Sequence, residues 1–135
     1  MSRTVDNHGI GALYATFSIH KTGEAYDLDE SHVGDAVALS GSNEIGHGSD
    51  GAQLLGRLEY VADGLATVQI QGVVRFALSG GKTAPGVGHG VVVDGAGGVY
   101  QAPAVAGGAG DPAGGNIARG TTLAVIGSSM CDVLL

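Results

Sequence analysis

The sequence predicts an all-β fold, a small antiparallel β-barrel or compact sandwich with an extended N-terminal arm. Three features point that way. Tyr60-Val61-Ala62 runs into Asp63-Gly64, the pair best suited to the two positive φ angles of a tight hairpin turn, and a second strand leads away from it. That return segment alternates, with Ala66, Val68 and Ile70 on one side and Thr67, Gln69 and Gln71 on the other. This is the period-two pattern of a sheet with one buried and one wet face. The third feature is composition. The chain has 26 glycines, which suit turns and bulges, and valine is the commonest large aliphatic, which suits a pleated surface better than a helix.

The elements follow in order. Leu13, Ala15, Phe17 and Ile19 alternate with small or polar residues and read as an arm or first strand, able to pair within its own sheet or with a neighbouring subunit's edge. An acidic stretch from Glu24 to Glu30 reads as a polar turn or short helix. Residues 1–33 are therefore set apart as an arm with an acidic segment, and 34–135 as the barrel-like domain. Ala36–Leu39 is a brief strand and Gly41–Gly51 a loop. Leu54–Val61 and Leu65–Leu78 form the hairpin, with a bulge at Gly72. Val87–Val93 and Val99–Gln101 follow. Ala102–Gly115 is nearly all Ala, Gly and Pro and reads as a loop. Thr122–Ile126 and Cys131–Leu135 close the chain as strands around Gly127-Ser128-Ser129.

Length and composition bound the function classes. At 135 residues the chain fits one domain with a real core, and Leu, Ile, Val and Phe supply 34 of its residues, outside the regime of disordered proteins. With four Tyr, two Phe and no Trp, it has few anchors for a core and few stacking platforms for sugars or bases. The net charge is -7, concentrated in residues 1–50, which hold eight Asp or Glu against Arg3 and Lys21. No basic stripe is available for nucleic acid. Cys131 is alone, so no internal disulfide forms. No stretch resembles a signal peptide or approaches membrane-spanning length, so assembly in a cytoplasm and no membrane partner are expected.

Motifs that could carry chemistry fall short. Gly80-Gly81-Lys82-Thr83 resembles the end of a phosphate loop, but Phe76 stands at the first glycine position and Ala84-Pro85-Gly86 follows instead of a helix, so Lys82 reads as a solvated charge. Asp27-Leu28-Asp29-Glu30 could begin a calcium loop, yet His32 and Ala38 occupy its glycine and glutamate positions. Gly107–Asp111 misses the glycine-rich calcium repeat by one position. The histidines at 8, 20, 32, 47 and 89 lie at none of the short separations that place two ligands on one element, so no metal and no cofactor is expected. Gly46–Gly51 holds Ser, His and Asp side by side in one loop, which cannot form a triad. Cys131 reads as an inert buried thiol. No catalytic residue is expected.

Several segments carry a family likeness: Gly34-Asp35 opening Ala36–Leu39, the run Val68–Phe76, the glycine-punctuated Gly86–Gly95, and the closing Asp132-Val133-Leu134-Leu135. In these, residues 34–135 resemble the capsid decoration, or cement, proteins of tailed bacteriophages. The resemblance implies a non-enzymatic barrel-like protein on the outside of a phage head. It also implies a homotrimer, the major capsid protein as partner, and an N-terminal arm reaching the shell. Leu13, Tyr14, Phe17 and Ile19 would then make subunit or shell contacts, and Glu24, Asp27, Asp29 and Glu30 would meet a basic capsid patch. The chain departs from the pattern in its Ala102–Gly115 insertion and its long acidic N-terminal portion. The rivals are a phage adhesin or glycan-binding barrel, disfavoured by the missing Trp, and a small trimeric enzyme of nucleotide metabolism. The latter is suggested by Val93-Asp94-Gly95 and Tyr100, but Gln101-Ala102 replaces the Arg-Gly-Glu run of dUTP hydrolases.

Overall fold

The structure is a computed structural model and describes residues 5–103 and 118–135. From residue 104 on, the loop expected over Ala102–Gly115 lies outside the described residues, as does the glycine-rich Gly107–Asp111. The strands are β1 (Leu13–Ile19), β2 (Lys21–Thr22), β3 (Ala25–Tyr26), β4 (Ala36–Gly41), β5 (Glu44–Gly46), β6 (Gly56–Ala62), β7 (Leu65–Gln71), β8 (Val73–Ala77), β9 (Val91–Val93), β10 (Val99–Gln101), β11 (Thr121–Ile126) and β12 (Met130–Leu134). A 3-10 turn, Glu30–His32, precedes β4. Among the described residues no helix is long and apolar enough to cross a membrane.

Five strands close into a barrel in the order β1-β5-β4-β6-β7, and β7 pairs back to β1. The β6–β7 hairpin forms as the sequence requires: Ala62 faces Leu65 across the turn, and Asp63 (φ 54°) and Gly64 (φ 75°) both take left-handed backbone. Closure comes from β1, which pairs antiparallel with β7 and parallel with β5. Leu13–Ile19 is thus a stave of the barrel rather than an arm extending from it, and the division at residue 33 is not a break in the fold. The parallel β1–β5 pair adds an arrangement that the antiparallel expectation did not contain.

Three further expectations are corrected. The Gly41–Gly51 loop contains β5, reached through a turn in which Asn43 (φ 52°) takes the left-handed position. Gly72 (φ 94°) does more than bulge a continuous strand. It ends β7 in the barrel and starts β8 in a second sheet of order β11-β12-β8, so the chain changes sheet there. A Cβ at position 72 would stand 2.6 Å from the Ile10 carbonyl oxygen, which is why no side chain fits. Of Val87–Val93 only β9 is strand, and Val87 is exposed.

Two apolar clusters share β4. Inside the barrel lie Ile19, Leu28, Val37, Ile45, Leu58, Ala66 and Val68. Outside it, between β4 and the second sheet, lie Ala36, Ala38, Leu54, Val74, Phe76, Val91, Val93, Val99, Cys131 and Val133. Strand alternation sends Val37 inward and Ala36 and Ala38 outward, and the two small side chains let β9 approach closely. The alternation of β7 holds on its inner face. Its outer face is drier than expected, because Gln69 is buried and its amide donates to the Gln71 carbonyl at 3.1 Å. Arg119 closes the seam between the layers, donating to the carbonyls of Leu54, Leu55 and Ile70. Arg75 donates twice to the buried Asp132, at 2.8 and 3.0 Å, tying β8 to β12.

Candidate functional site

The structure distributes the expected contact residues over three places. Leu13 and Tyr14 lie at the start of β1 and are half exposed, at 50% and 53%. At the far end of that strand Ile19 is buried inside the barrel, and Phe17 packs against the same cluster, so neither offers a free surface for a partner. Glu24 is exposed at the tip of the β2–β3 hairpin. Asp27 and Asp29 are engaged within the chain. Asp27 accepts from Thr22 Oγ1 at 2.6 Å and lies 2.6 Å from His20 Nδ1, while Asp29 caps the 3-10 turn by accepting from the Ser31 backbone N–H at 2.9 Å. Glu30 remains exposed, and with Asp29, Tyr26, Leu28 and the β6–β7 turn it lines a cleft of about 720 Å³ whose floor includes Ile19.

An outer sheet face runs across β1, β7 and β6. Pairing of Thr16 with Thr67, Ser18 with Leu65 and Tyr60 with Thr67 puts these side chains on one side of the barrel. Tyr14 stands two residues along β1 from Thr16 on that same side. Tyr60 (63% exposed) and Leu65 (51% exposed) border a shallow depression of about 270 Å³ whose base holds Thr16 and Thr67. Tyr14, Tyr60 and Leu65 therefore form an apolar outer surface with a hydroxyl-bearing centre. The β2–β3 hairpin flanks it: Tyr26 packs on Gly64, where a side chain would collide with its ring, and Lys21 Nζ sits 5.0 Å from the Tyr26 ring centroid.

A third feature was not expected. Three of the five histidines stand beside aspartates at one rim of the barrel. His47 Nε2 lies 2.8 Å from Asp35 Oδ2, and His32 stacks edge-on to His47 with ring centroids 5.0 Å apart and planes at 79°. The ligand-capable atoms of His32, Asp35 and His47 all lie within 4.8 Å of one another. A hollow of about 440 Å³ opens beside them, bordered by His20, Asp27, Ser40, Gly46, His47 and Gly48. The hydrogen bond to Asp27 holds the His20 imidazolium on, raising its pKa above the ordinary histidine value, while Thr22 first and His20 second hold the Asp27 carboxyl below its own. Spacing along one element could not find this group, because its members come from the 3-10 turn, the residue before β4 and the residue after β5. The available signal was the pair His32 and Asp35 flanking a turn.

Lys82 is not merely solvated. Its Nζ lies 2.9 Å from Asp50 Oδ2 and 5.0 Å from the Tyr100 ring centroid, and Tyr100 Oη donates to Asp50 at 2.8 Å. Asp50, Lys82 and Tyr100 thereby staple the Gly48–Gly51 loop to β10. The Cys131 thiol is buried in the outer cluster, and burial first and Asp132 second push its pKa up to about 11.

No protein-family model matches the chain, and no curated protein matches it significantly.

Proposed function

We propose that the chain is a bacteriophage head decoration protein. It binds the outer capsid surface through the major capsid protein, stabilises the shell, and acts as a homotrimer. The observation that carries the reading is the outer face of Tyr14, Tyr60 and Leu65, large apolar side chains exposed together on a closed barrel. Full burial of a tyrosine removes about 150–250 Å² from water, and Tyr14, Tyr60 and Leu65 each still expose half or more of their surface, so two tyrosines and a leucine supply the apolar centre of a contact rather than the whole ~800 Å² per partner of a specific interface. The likeness of residues 34–135 to cement proteins supplies the identity of that partner. Glu24, exposed at the tip of the β2–β3 hairpin, and Glu30, exposed in the cleft beside the β6–β7 turn, remain available for a basic patch, whereas Asp27 and Asp29 are already satisfied within the chain.

The contact surface of this reading is therefore barrel wall rather than a free arm. Undecorated heads are incubated with the chain and exposed to heat and osmotic shock. Added protein is expected to raise the fraction of intact heads, and a Tyr60→Asp, Leu65→Asp variant is expected to lower shell occupancy at least tenfold. Heads that survive equally well with and without the chain contradict the role.

A further inference from the structure

We propose that His32, Asp35 and His47 bind a divalent transition-metal ion of the zinc class, with one coordination position left open to solvent. Two imidazoles and one carboxylate make up a donor set that suits zinc and its neighbours and suits calcium or magnesium poorly, since those take oxygen ligands. The geometry is close to what such an ion requires. Zinc bonds of about 2.0–2.2 Å to nitrogen and oxygen imply ligand-to-ligand separations on the order of 3.4 Å in a tetrahedral site. His47 Nε2 and Asp35 Oδ2 stand 2.8 Å apart, and the third donor lies within 4.8 Å of both. His32 closes the remaining gap by a small side-chain rotation, because its side chain is 32% exposed and rides on a three-residue turn.

The outer partners fit as well. His32 Nδ1 accepts the Asp29 backbone N–H at 3.0 Å and lies 3.2 Å from the Asp29 carboxylate, so Nε2 is the nitrogen left to face an ion. With metal on Nε2 the ring proton moves to Nδ1, which then gives up the Asp29 backbone N–H and donates to the Asp29 carboxylate 3.2 Å away, the outer-shell arrangement that orients metal-bound histidines. The proton between His47 and Asp35 leaves to solvent as the ion enters. Gly97 keeps the site open: a Cβ there would lie 2.6 Å from the Asp35 carboxylate carbon. Access and the open position come from the hollow beside His47. Because the donors come from the 3-10 turn, the residue before β4 and the residue after β5, a bound ion would pin the 30–35 segment to the barrel rim.

The test uses the full chain without partners. Zn²⁺ is titrated by calorimetry and Co²⁺ by visible absorption, and paramagnetic Co²⁺ is followed by NMR on the histidine ring protons of the unaltered chain. A single ion per chain is expected, with His32 and His47 resonances broadened before those of His8 and His89. His32→Gln and His47→Gln are each expected to weaken binding at least tenfold with unchanged far-UV circular dichroism, and His89→Gln to leave it unchanged. The proposal is overturned if Zn²⁺ up to about 1 mM gives no saturable binding. It is also overturned if His32→Gln and His47→Gln both bind as the parent does, or if the distant histidines broaden first. The NMR experiment needs no variant, so a substitution that fails to fold still leaves the proposal decidable.

Discussion

At the scale of single residues, environment decides chemistry that residue identity alone leaves open. Cys131 was legible as inert, since a lone cysteine in an apolar terminal run is usually core, and its burial pushes the thiol pKa up to about 11. Ellman's reagent at pH 8 should leave it unmodified in the native chain and label it fully in denaturant. Fast labelling of folded protein would contradict that burial. The histidines were less legible, because distance along the chain hides proximity across strands. His20 and Asp27, seven residues apart, meet across the β2–β3 hairpin. The raised His20 pKa contributes stability that is complete below its ordinary value of 6.5 and fades as pH rises through the raised value. The lowered Asp27 pKa contributes stability that is present above 3.8 and lost as pH falls through the lowered value. The pair is thus fully formed between roughly pH 4 and 6.5. NMR titration should find His20 above the ordinary value, and Asp27→Asn should bring it back down.

At the scale of elements, turn chemistry carried most of the legible information. Asp63-Gly64 fixed the β6–β7 hairpin, since few other pairs take two positive φ angles without strain. Gly64→Ala adds left-handed backbone cost to a collision with Tyr26, and should lower stability by about 1–3 kcal/mol in denaturant unfolding. Gly72→Ala should be worse, about 2 kcal/mol or more, because the atoms it meets are the Ile10 and Gly11 carbonyls, which cannot swing aside as a side chain can. A neutral result at position 72 would contradict its role as the crossing between sheets. β5 escaped notice because three residues, Glu44–Gly46, show no alternation, and only pairing with β1 and β4 reveals them as strand. For the same reason Leu13–Ile19 could be recognised as a strand from its own pattern, while its place in the barrel wall could not.

At the scale of the whole molecule, barrel and second sheet are joined through β4, whose Val37 fills one core while Ala36 and Ala38 line the other. Neither layer can lose β4 and remain packed, so thermal unfolding should be a single cooperative transition followed alike by far-UV and near-UV circular dichroism. Two separated transitions would contradict the shared strand. An all-β barrel was legible in the sequence because valine content, alternation and turns agree with one another. The surface that meets a partner was not, because exposure depends on which strands flank β1 and β7, and that depends on long-range pairing. The proposed role at a capsid rests on this outer face and on the family likeness together. Electron microscopy of phage heads incubated with the chain tests it most directly. The account predicts density on the outer surface at threefold or quasi-threefold positions, with the β1–β7–β6 face turned toward the shell. Heads that stay bare at saturating protein would contradict it.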